Sequence, residues 1–188
     1  MRLFIGIPLA DAVAGELGAL VSRLKSGASN LRWTAPDSWH ITLQFLGNAS
    51  PEQLQCLGVH LADVRSAPVS VQIGELGSFD RAGVFFADAV VSPALASLQQ
   101  RVVAATAPCG FEAETRPYHP HITLARKAGN KGAGERGSGL RELVARAGRQ
   151  PAFTRFTARE FLIYESHLSN QGSRYEVRAR FPLGNERQ

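Results

Sequence analysis

The sequence predicts an α+β protein with two pseudo-symmetric lobes, each a mainly antiparallel sheet with helices packed outside, and an active-site cleft between the sheets. One observation is the string His-Ile-Thr-Leu, which occurs at 40–43 and again at 121–124. Another is the similar order of predicted elements around both copies: strand, helix, motif strand, helix, strand. A length of 188 residues fits one bilobal domain. We therefore expect residues 1–188 to form a single domain with an internal duplication, one motif in each half.

The predicted elements of the first half are a strand, a helix, the motif strand, a second helix and a closing strand: Arg2–Pro8, Asp11–Lys25, Trp39–Leu46, Pro51 to about Val64, and a strand that begins at Val69. Ser50 reads as the N-cap of the second helix, with Gln53 as its capping-box partner. Alternating Val69, Val71 and Ile73 predict the closing strand, because side chains on a strand alternate between faces.

The second half repeats this order, with an extra strand at its end: Gly83–Val91, Pro93 to about Ala107, His121–Arg126, Leu140–Ala147, Phe153–Ser166 and Arg174–Phe181. Ser92 is the predicted N-cap before Pro93. A turn is predicted at Asn170-Gln171-Gly172, because asparagine and glycine favour turn conformations.

Composition excludes a disordered chain and favours an anionic partner. Hydrophobic residues make up 44% of the chain, and the net charge is +5 with a pI near 9.8. No stretch approaches the ~18 apolar residues of a membrane span. Two cysteines, Cys56 and Cys109, are too few for a disulfide framework, and their spacing matches no metal knuckle. We expect a cytoplasmic protein.

The two motifs place matched side chains on their strands. Residues two apart on a strand share a face, so His40 and Thr42 point one way and the intervening aliphatic residue points into the core. His121 and Thr123 repeat the arrangement. A single strand histidine is more often structural than catalytic, but two identical copies in parallel surroundings favour function. Facing each other, they would bracket a tetrahedral phosphate.

These segments resemble the 2H phosphoesterase superfamily and, within it, the RNA 2′,3′-cyclic phosphodiesterases, also called 2′-5′ RNA ligases. The matching pieces occur in the family's order and cover nearly the whole chain: Arg2–Ile7, Trp39–Gly47, Pro120–Arg126, Tyr164–Ser166, Gly172 and Tyr175. The resemblance implies the bilobal fold and a cleft that accepts RNA with 2′,3′-cyclic phosphate ends or cyclic nucleotides. It also implies no metal and no cofactor. We expect a monomer without a membrane or an obligate protein partner.

The resemblance further implies that His40 and His121 are an acid–base pair that hydrolyses the cyclic phosphate to a 2′-phosphomonoester. Histidine suits both roles because its ordinary pKa is near 6.5. We assign His121 as the base and His40 as the acid, although the pseudo-symmetry leaves the reverse open. Thr42 and Thr123 are predicted to donate hydrogen bonds to the phosphate.

Arg126 is a phosphate ligand by residue type. Strand parity, however, places it with Ile122 and Leu124, on the face opposite His121, unless the strand twists or ends. Parity likewise places Phe45 toward the core.

Tyr118 and Trp39 are candidate substrate contacts that could stack on a base, and His119 is another candidate contact. His119 and His121 could also be metal ligands, but the sequence shows no clear third and fourth ligand to accompany them. His60 and His167 are predicted to be surface or structural residues.

The segment from Lys127 to Gly139 is glycine-rich and basic. Gly132, Gly134 and Gly137 have the GxGxxG spacing of dinucleotide-binding loops. A low-complexity loop matches this pattern easily, and no parallel βαβ unit is predicted around it. A loop beside the cleft that contacts the RNA backbone is the favoured interpretation.

Three functions are compatible with the sequence. The first is hydrolysis of cyclic phosphate ends. The second is 2′-5′ RNA ligation or 2′-5′ phosphodiester cleavage through the same histidines. The third, of another class, is non-catalytic RNA-end binding. An ATP-dependent ligase is disfavoured, because none of the three lysines begins a Lys-x-Asp-Gly motif.

Overall fold

A computed structural model describes residues 1–26, 31–127, 138–150, 152–169 and 172–184. The strands in these ranges are β1 Arg2–Pro8, β2 Leu31–Trp33, β3 His40–Asn48, β4 Val69–Val71, β5 Ile73–Phe79, β6 Val84–Ala89, β7 His121–Lys127, β8 Phe156–Ala158, β9 Glu160–Ser169 and β10 Gly172–Pro182. The α-helices are α1 Asp11–Lys25, α2 Pro51–Ala62, α3 Pro93–Thr106 and α4 Ser138–Ala147. The predicted turn residues 170–171 and the glycine-rich segment 128–137 lie outside the described residues.

Two four-stranded sheets form the framework, and the α+β prediction is confirmed. The first sheet has the order β10-β9-β1-β3 and the second has the order β2-β7-β6-β5. All strand pairs in both sheets are antiparallel. The two motif strands therefore belong to different sheets, β3 at the edge of the first and β7 inside the second.

The sheets do not correspond to the two halves of the sequence. The carboxyl-terminal hairpin of β9 and β10 pairs with β1, and β2 pairs with β7. Each sheet thus contains strands from both halves. The predicted single closing strand from Val69 is wrong: the chain divides into β4, which pairs with β8, and β5, which pairs with β6. Local alternation predicts strands but does not determine their partners, which are distant in sequence.

Helix starts follow the predicted caps. The backbone N–H of Gln53 donates to Ser50 Oγ at 3.2 Å, and its side chain accepts from the Ser50 N–H at 3.0 Å. Ser92 Oγ accepts from the Leu95 N–H at 3.1 Å. These bonds satisfy amide groups that lack partners within the first helical turn. The helices then bury apolar residues against the sheets, among them Leu17, Leu57, Leu61 and Leu98.

The first motif strand contains a bulge. Its pairing with β1 passes from Gly6 opposite Thr42 to Phe4 opposite Phe45, so β3 has one residue more than β1 over this stretch. Leu43 and the glutamine after it are both buried, which breaks the alternation. A bulge shifts every later residue to the other face. Phe45 is therefore 55% exposed rather than in the core, and the parity-based expectation for it was wrong.

The second motif strand contains a bulge at the corresponding place. Phe86 lies opposite Thr123, while the residue before Phe86 lies opposite Ala125, so Leu124 is the extra residue. Leu124 and Ala125 are both buried. Arg126 consequently leaves the face of the buried residues and becomes exposed. The parity argument that placed Arg126 opposite His121 was also wrong.

Cys56 and Cys109 form a disulfide with their Cα atoms 5.7 Å apart. The bond joins α2 to the turn that follows α3. Two cysteines are too few for a disulfide framework, and this single pair was not predicted from the sequence. In the part of the chain that the structure describes, no helix is both long enough and apolar enough to cross a bilayer.

Candidate active site

The two motif histidines are held by the same hydrogen bond. Nδ1 of His40 lies 2.8 Å from the carbonyl oxygen of Ser38, and Nδ1 of His121 lies 2.8 Å from that of His119. A carbonyl oxygen only accepts, so Nδ1 carries the proton in both rings. The bond fixes the tautomer and orientation of each imidazole and leaves Nε2 as the atom that can exchange a proton.

His40 lies among aromatic rings. Its centroid is 4.5 Å from that of Phe4, 5.1 Å from Tyr175 and 5.6 Å from Tyr164. Burial of the ring lowers its pKa to about 4. The carbonyl bond at Nδ1 opposes this shift, while positive charge on His121 and Arg126 adds to it. In the free protein, His40 is therefore neutral at pH 7.

His121 has a corresponding but less enclosed position. Its centroid is 5.0 Å from that of Phe79 and 5.3 Å from that of Phe86. Burial is again the main cause that lowers its pKa, with contributions from the charges of His119 and Arg126, while Asp88 opposes the shift. The positive charge of Arg126 thus acts on both histidines.

The two bulges bring Phe45 and Arg126 to the same side of their strands as the motif histidines. Phe45 and Arg126 each follow their motif histidine by five positions. The Phe45 ring lies 6.2 Å from Phe4, the ring that also contacts His40. Arg126 is exposed and close enough to both histidines for its charge to lower their pKa values. The site therefore combines two neutral imidazoles, one guanidinium and an exposed aromatic ring.

The motif threonines are half-buried at the predicted positions beside their histidines. Thr42 is also contacted from the second half of the chain, because the Tyr118 hydroxyl donates to its backbone carbonyl at 3.2 Å. Burial raises the pKa of Tyr118, so its hydroxyl stays protonated as a donor. Tyr118 thus lies near the site, but its hydroxyl is already engaged.

The two remaining predicted substrate contacts, His119 and Trp39, differ in exposure. His119 is exposed, and its Nε2 lies 3.0 Å from Asp88 Oδ1. Its ring centroid is 6.0 Å from that of His121, whose Nδ1 is bound to the His119 carbonyl. This arrangement does not favour the metal interpretation of the pair. Trp39 is only 5% exposed and packs in the core, which leaves almost no surface for a substrate.

Two glycines allow the close packing behind the histidines. A Cβ at Gly77 would lie 2.6 Å from the Phe86 ring, which backs His121. A Cβ at Gly6 would lie 3.0 Å from the Ile41 carbonyl oxygen and 3.4 Å from Cδ2 of His40. Side chains at these positions would displace groups that orient the imidazoles.

The aromatic residues around the two histidines were not among the predicted site residues. Phe4 and Phe86 lie on β1 and β6, which pair with the motif strands, and Phe79 lies one strand further away, on β5, which pairs with β6; only this pairing brings the three rings to the site. Phe4, Tyr164 and Tyr175 belong to segments that resemble the family, but no role was predicted for them. The signal that could have found Phe4 is its place in the first strand, opposite the motif.

Comparisons with known proteins agree with this arrangement. A family model described as the 2′-5′ RNA ligase superfamily matches residues 11–169. The RNA 2′,3′-cyclic phosphodiesterase of Bacillus subtilis (strain 168) is 30% identical over 185 residues, which cover 96% of this chain and 95% of that protein. The RNA 2′,3′-cyclic phosphodiesterase of Geobacillus stearothermophilus is 33% identical, and the match covers 96% of this chain but 56% of that protein.

Solved structures show the same fold. Escherichia coli LigT complexed with 3′-AMP superposes with a TM-score of 0.77 at 24% identity, over 97% of this chain and 98% of that one. The protein TT0787 of Thermus thermophilus gives a TM-score of 0.76 at 24% identity and covers 100% of both chains. Together with the paired motifs, the family match identifies this chain as a member of the 2′-5′ RNA ligase superfamily.

Proposed function

We propose that this protein hydrolyses RNA 2′,3′-cyclic phosphate ends to 2′-phosphomonoesters without a metal. The main support is that His40 and His121 are oriented by the same Nδ1 hydrogen bond to a backbone carbonyl. The positive charge of Arg126 also contributes to the lowered pKa of both rings. Two imidazoles can act as the acid and the base of a phosphodiester hydrolysis, and a cation can bind the anionic phosphate. The names of the curated relatives, RNA 2′,3′-cyclic phosphodiesterases, support the same activity.

Water attacks phosphorus and forms a new P–O bond while one P–O bond of the cyclic phosphate breaks. Nε2 of His121 accepts the proton from water, and Nε2 of His40 donates a proton to the departing ribose 3′ oxygen. The product carries the phosphate on the 2′ oxygen. Each proton transfer is general acid–base catalysis, which contributes roughly 10²–10⁴-fold in rate.

The surroundings of the two histidines support this division of roles. Phe45, the exposed ring, lies on the His40 strand, so the nucleoside stacks on that side. The leaving oxygen belongs to the nucleoside and therefore lies nearer His40. Water attacks in line from the opposite side, where His121 receives its proton.

The phosphate itself stabilises protonated His40. Burial keeps His40 neutral in the free protein. An anionic phosphate beside the ring favours the imidazolium and raises the His40 pKa on binding. Binding of the substrate thus shifts His40 toward its charged, acid form.

Arg126 would grip two phosphate oxygens, since its planar guanidinium matches them with two parallel hydrogen bonds. Thr42 and Thr123 would donate to the non-bridging oxygens as negative charge develops. His119 and Tyr118 border the same surface and are our candidates for contacts to the sugar or the next nucleotide.

We further propose that the chain acts as a cytoplasmic monomer and that its two motif-bearing halves arose by duplication within one domain. The matching bulges and the matching Nδ1 bonds support the duplication. A single cooperative unfolding transition, coincident by fluorescence and circular dichroism, is expected of one domain. Two separated transitions would contradict it.

The test is incubation of the full chain with a 2′,3′-cyclic nucleotide and with RNA that ends in a cyclic phosphate, in excess EDTA. The expected result is complete conversion to the 2′-phosphate, identified by its resistance to a 3′-nucleotidase. Loss of activity in EDTA would contradict metal independence. Joining to a second RNA with a free 5′ hydroxyl would indicate 2′-5′ ligation instead, and binding without turnover would indicate an RNA-end binding protein.

A further inference from the structure

A second group of chemically reactive side chains lies in α2 and the turn after α3. The sulfur atoms of Cys56 and Cys109, which are joined in the disulfide, and a ring nitrogen of His60 all lie within 4.8 Å of one another. Cys56 and His60 are four residues apart on α2, so they project from the same helical face. Cys109 approaches that face from the turn Ala107–Cys109. None of these residues takes part in the mechanism proposed above.

The cysteine that comes from the turn is held by its surroundings. The Gln53 side-chain amide donates to the Cys109 carbonyl at 3.1 Å, and Gln53 is fixed in turn by the capping box with Ser50. Gly110 ends the turn with a φ of +86°, a left-handed conformation that glycine adopts without strain, and its N–H donates to the Ala107 carbonyl. The Cys109 backbone is thus anchored independently of the bond to Cys56.

We propose that Cys56, Cys109 and His60 form a binding site for one thiophilic divalent cation, such as zinc, when the disulfide is reduced. A dithiol reductant supplies two electrons and two protons to the S–S bond, yields the two thiols and is itself oxidised to a disulfide. Each thiol then loses its proton to solvent as it binds the cation. The His60 imidazole gives the third ligand through a neutral ring nitrogen, and water completes a tetrahedral set.

The donor set fits this chemistry. Two thiolates and one imidazole plus water form a known type of zinc site, and soft sulfur ligands select such cations over magnesium or calcium. The disulfide and the metal-bound state exclude each other, because the same two sulfur atoms are used. Cytosolic thiols are kept reduced, so the cation-binding state corresponds to the location proposed above.

Cobalt(II) titration of the reduced full chain tests the site. The protein is reduced with a phosphine, freed of reductant without oxygen and titrated with Co²⁺, while the thiolate-to-cobalt charge-transfer absorption is recorded. The chain has two cysteines, so this absorption reports the proposed site and excludes the imidazoles of the catalytic site. We expect one equivalent of Co²⁺, displaced by Zn²⁺, and a tetrahedral d–d spectrum.

His60→Gln is the decisive variant, since it keeps both cysteines. Loss of even an outer-shell partner weakens metal binding 10–100-fold, so loss of this ligand should weaken it at least about tenfold. His167→Gln, at another exposed histidine, is the matched control and should bind as wild type. Recovery of the disulfide after oxidation shows that each variant has folded. Absent thiolate absorption in wild type, or equal affinity in His60→Gln, would overturn the site.

Discussion

The Tyr118 hydroxyl donates a hydrogen bond to the Thr42 backbone carbonyl over 3.2 Å. It connects the segment that leads into β7 with motif strand β3, which belongs to the other sheet. We therefore expect this hydrogen bond to help to fix the position of one motif strand relative to the other.

Tyr118→Phe removes this bond and keeps the ring. A net contribution of about 1 kcal/mol is usual for a hydrogen bond, and we expect that loss in the free energy of unfolding, measured with urea. Activity should fall by less than in the histidine variants, because no proton-transfer group is lost. Unchanged stability and activity would show that the bond does not hold the strands.

Replacement of either motif histidine should abolish most of the turnover and leave the fold intact. His40→Ala and His121→Ala should each lower kcat about 10²–10⁴-fold. A substrate with sulfur in place of the 3′ bridging oxygen separates the roles, because a thiolate leaves without an acid. It should restore activity to His40→Ala and leave His121→Ala inactive. Selective rescue of His121→Ala would reverse the assignment of acid and base.

Phe45→Ala should weaken recognition of the base. Stacking of a base on an aromatic ring contributes about 1–3 kcal/mol, so kcat/KM for a cyclic nucleotide should fall about 5–150-fold. A cyclic phosphate of a small diol has no base, and its hydrolysis should be unaffected. Val59→Ala, at an apolar residue of α2 that is 66% exposed, is the control and should change neither rate. Equal losses on both substrates would argue against stacking.

Arg126→Gln should affect both phosphate binding and the histidines. The positive charge of Arg126 lowers the pKa of His40 and of His121. Its removal favours the protonated rings, so both pKa values should rise and the pH dependence of kcat/KM should move to higher pH. Arg126→Lys keeps the positive charge but loses the planar guanidinium. It should therefore lower activity without moving the pH dependence of kcat/KM. Arg65→Lys, at an exposed arginine near the end of α2, serves as the control.

Stability should depend on pH through His40. Its pKa is about 4 in the folded protein and near 6.5 in the unfolded chain. Between these values the unfolded chain binds more protons, so stability is full above pH 6.5 and falls as the pH decreases toward 4. The loss attributable to His40 is up to about 3 kcal/mol. Urea unfolding of wild type and His40→Gln from pH 4 to 7 measures it, and identical pH profiles would contradict the buried, neutral ring.

Local pattern was sufficient for several elements and for the repeated motif strands, but not for β2 or for the division of the closing strand into β4 and β5. The predicted strand Arg2–Pro8 and helix Asp11–Lys25 have the observed bounds of β1 and α1. The Ser50 and Ser92 caps identified two helix starts, because capping signals lie within a few neighbouring residues. Repetition of His-Ile-Thr-Leu indicated His40 and His121 as candidate catalytic residues without any three-dimensional information.

Tertiary structure decided what surrounds those histidines. The bulges at Leu43 and Leu124 appear only when the motif strands pair with β1 and β6, and they reverse the parity that placed Phe45 and Arg126 on the wrong faces. The exchange of strands between the sheets and the meeting of Cys56 with His60 and Cys109 likewise depend on contacts between distant segments. Sequence periodicity records which side of its own strand a residue occupies, whereas pairing and packing, which are set by the whole chain, determine what that side faces.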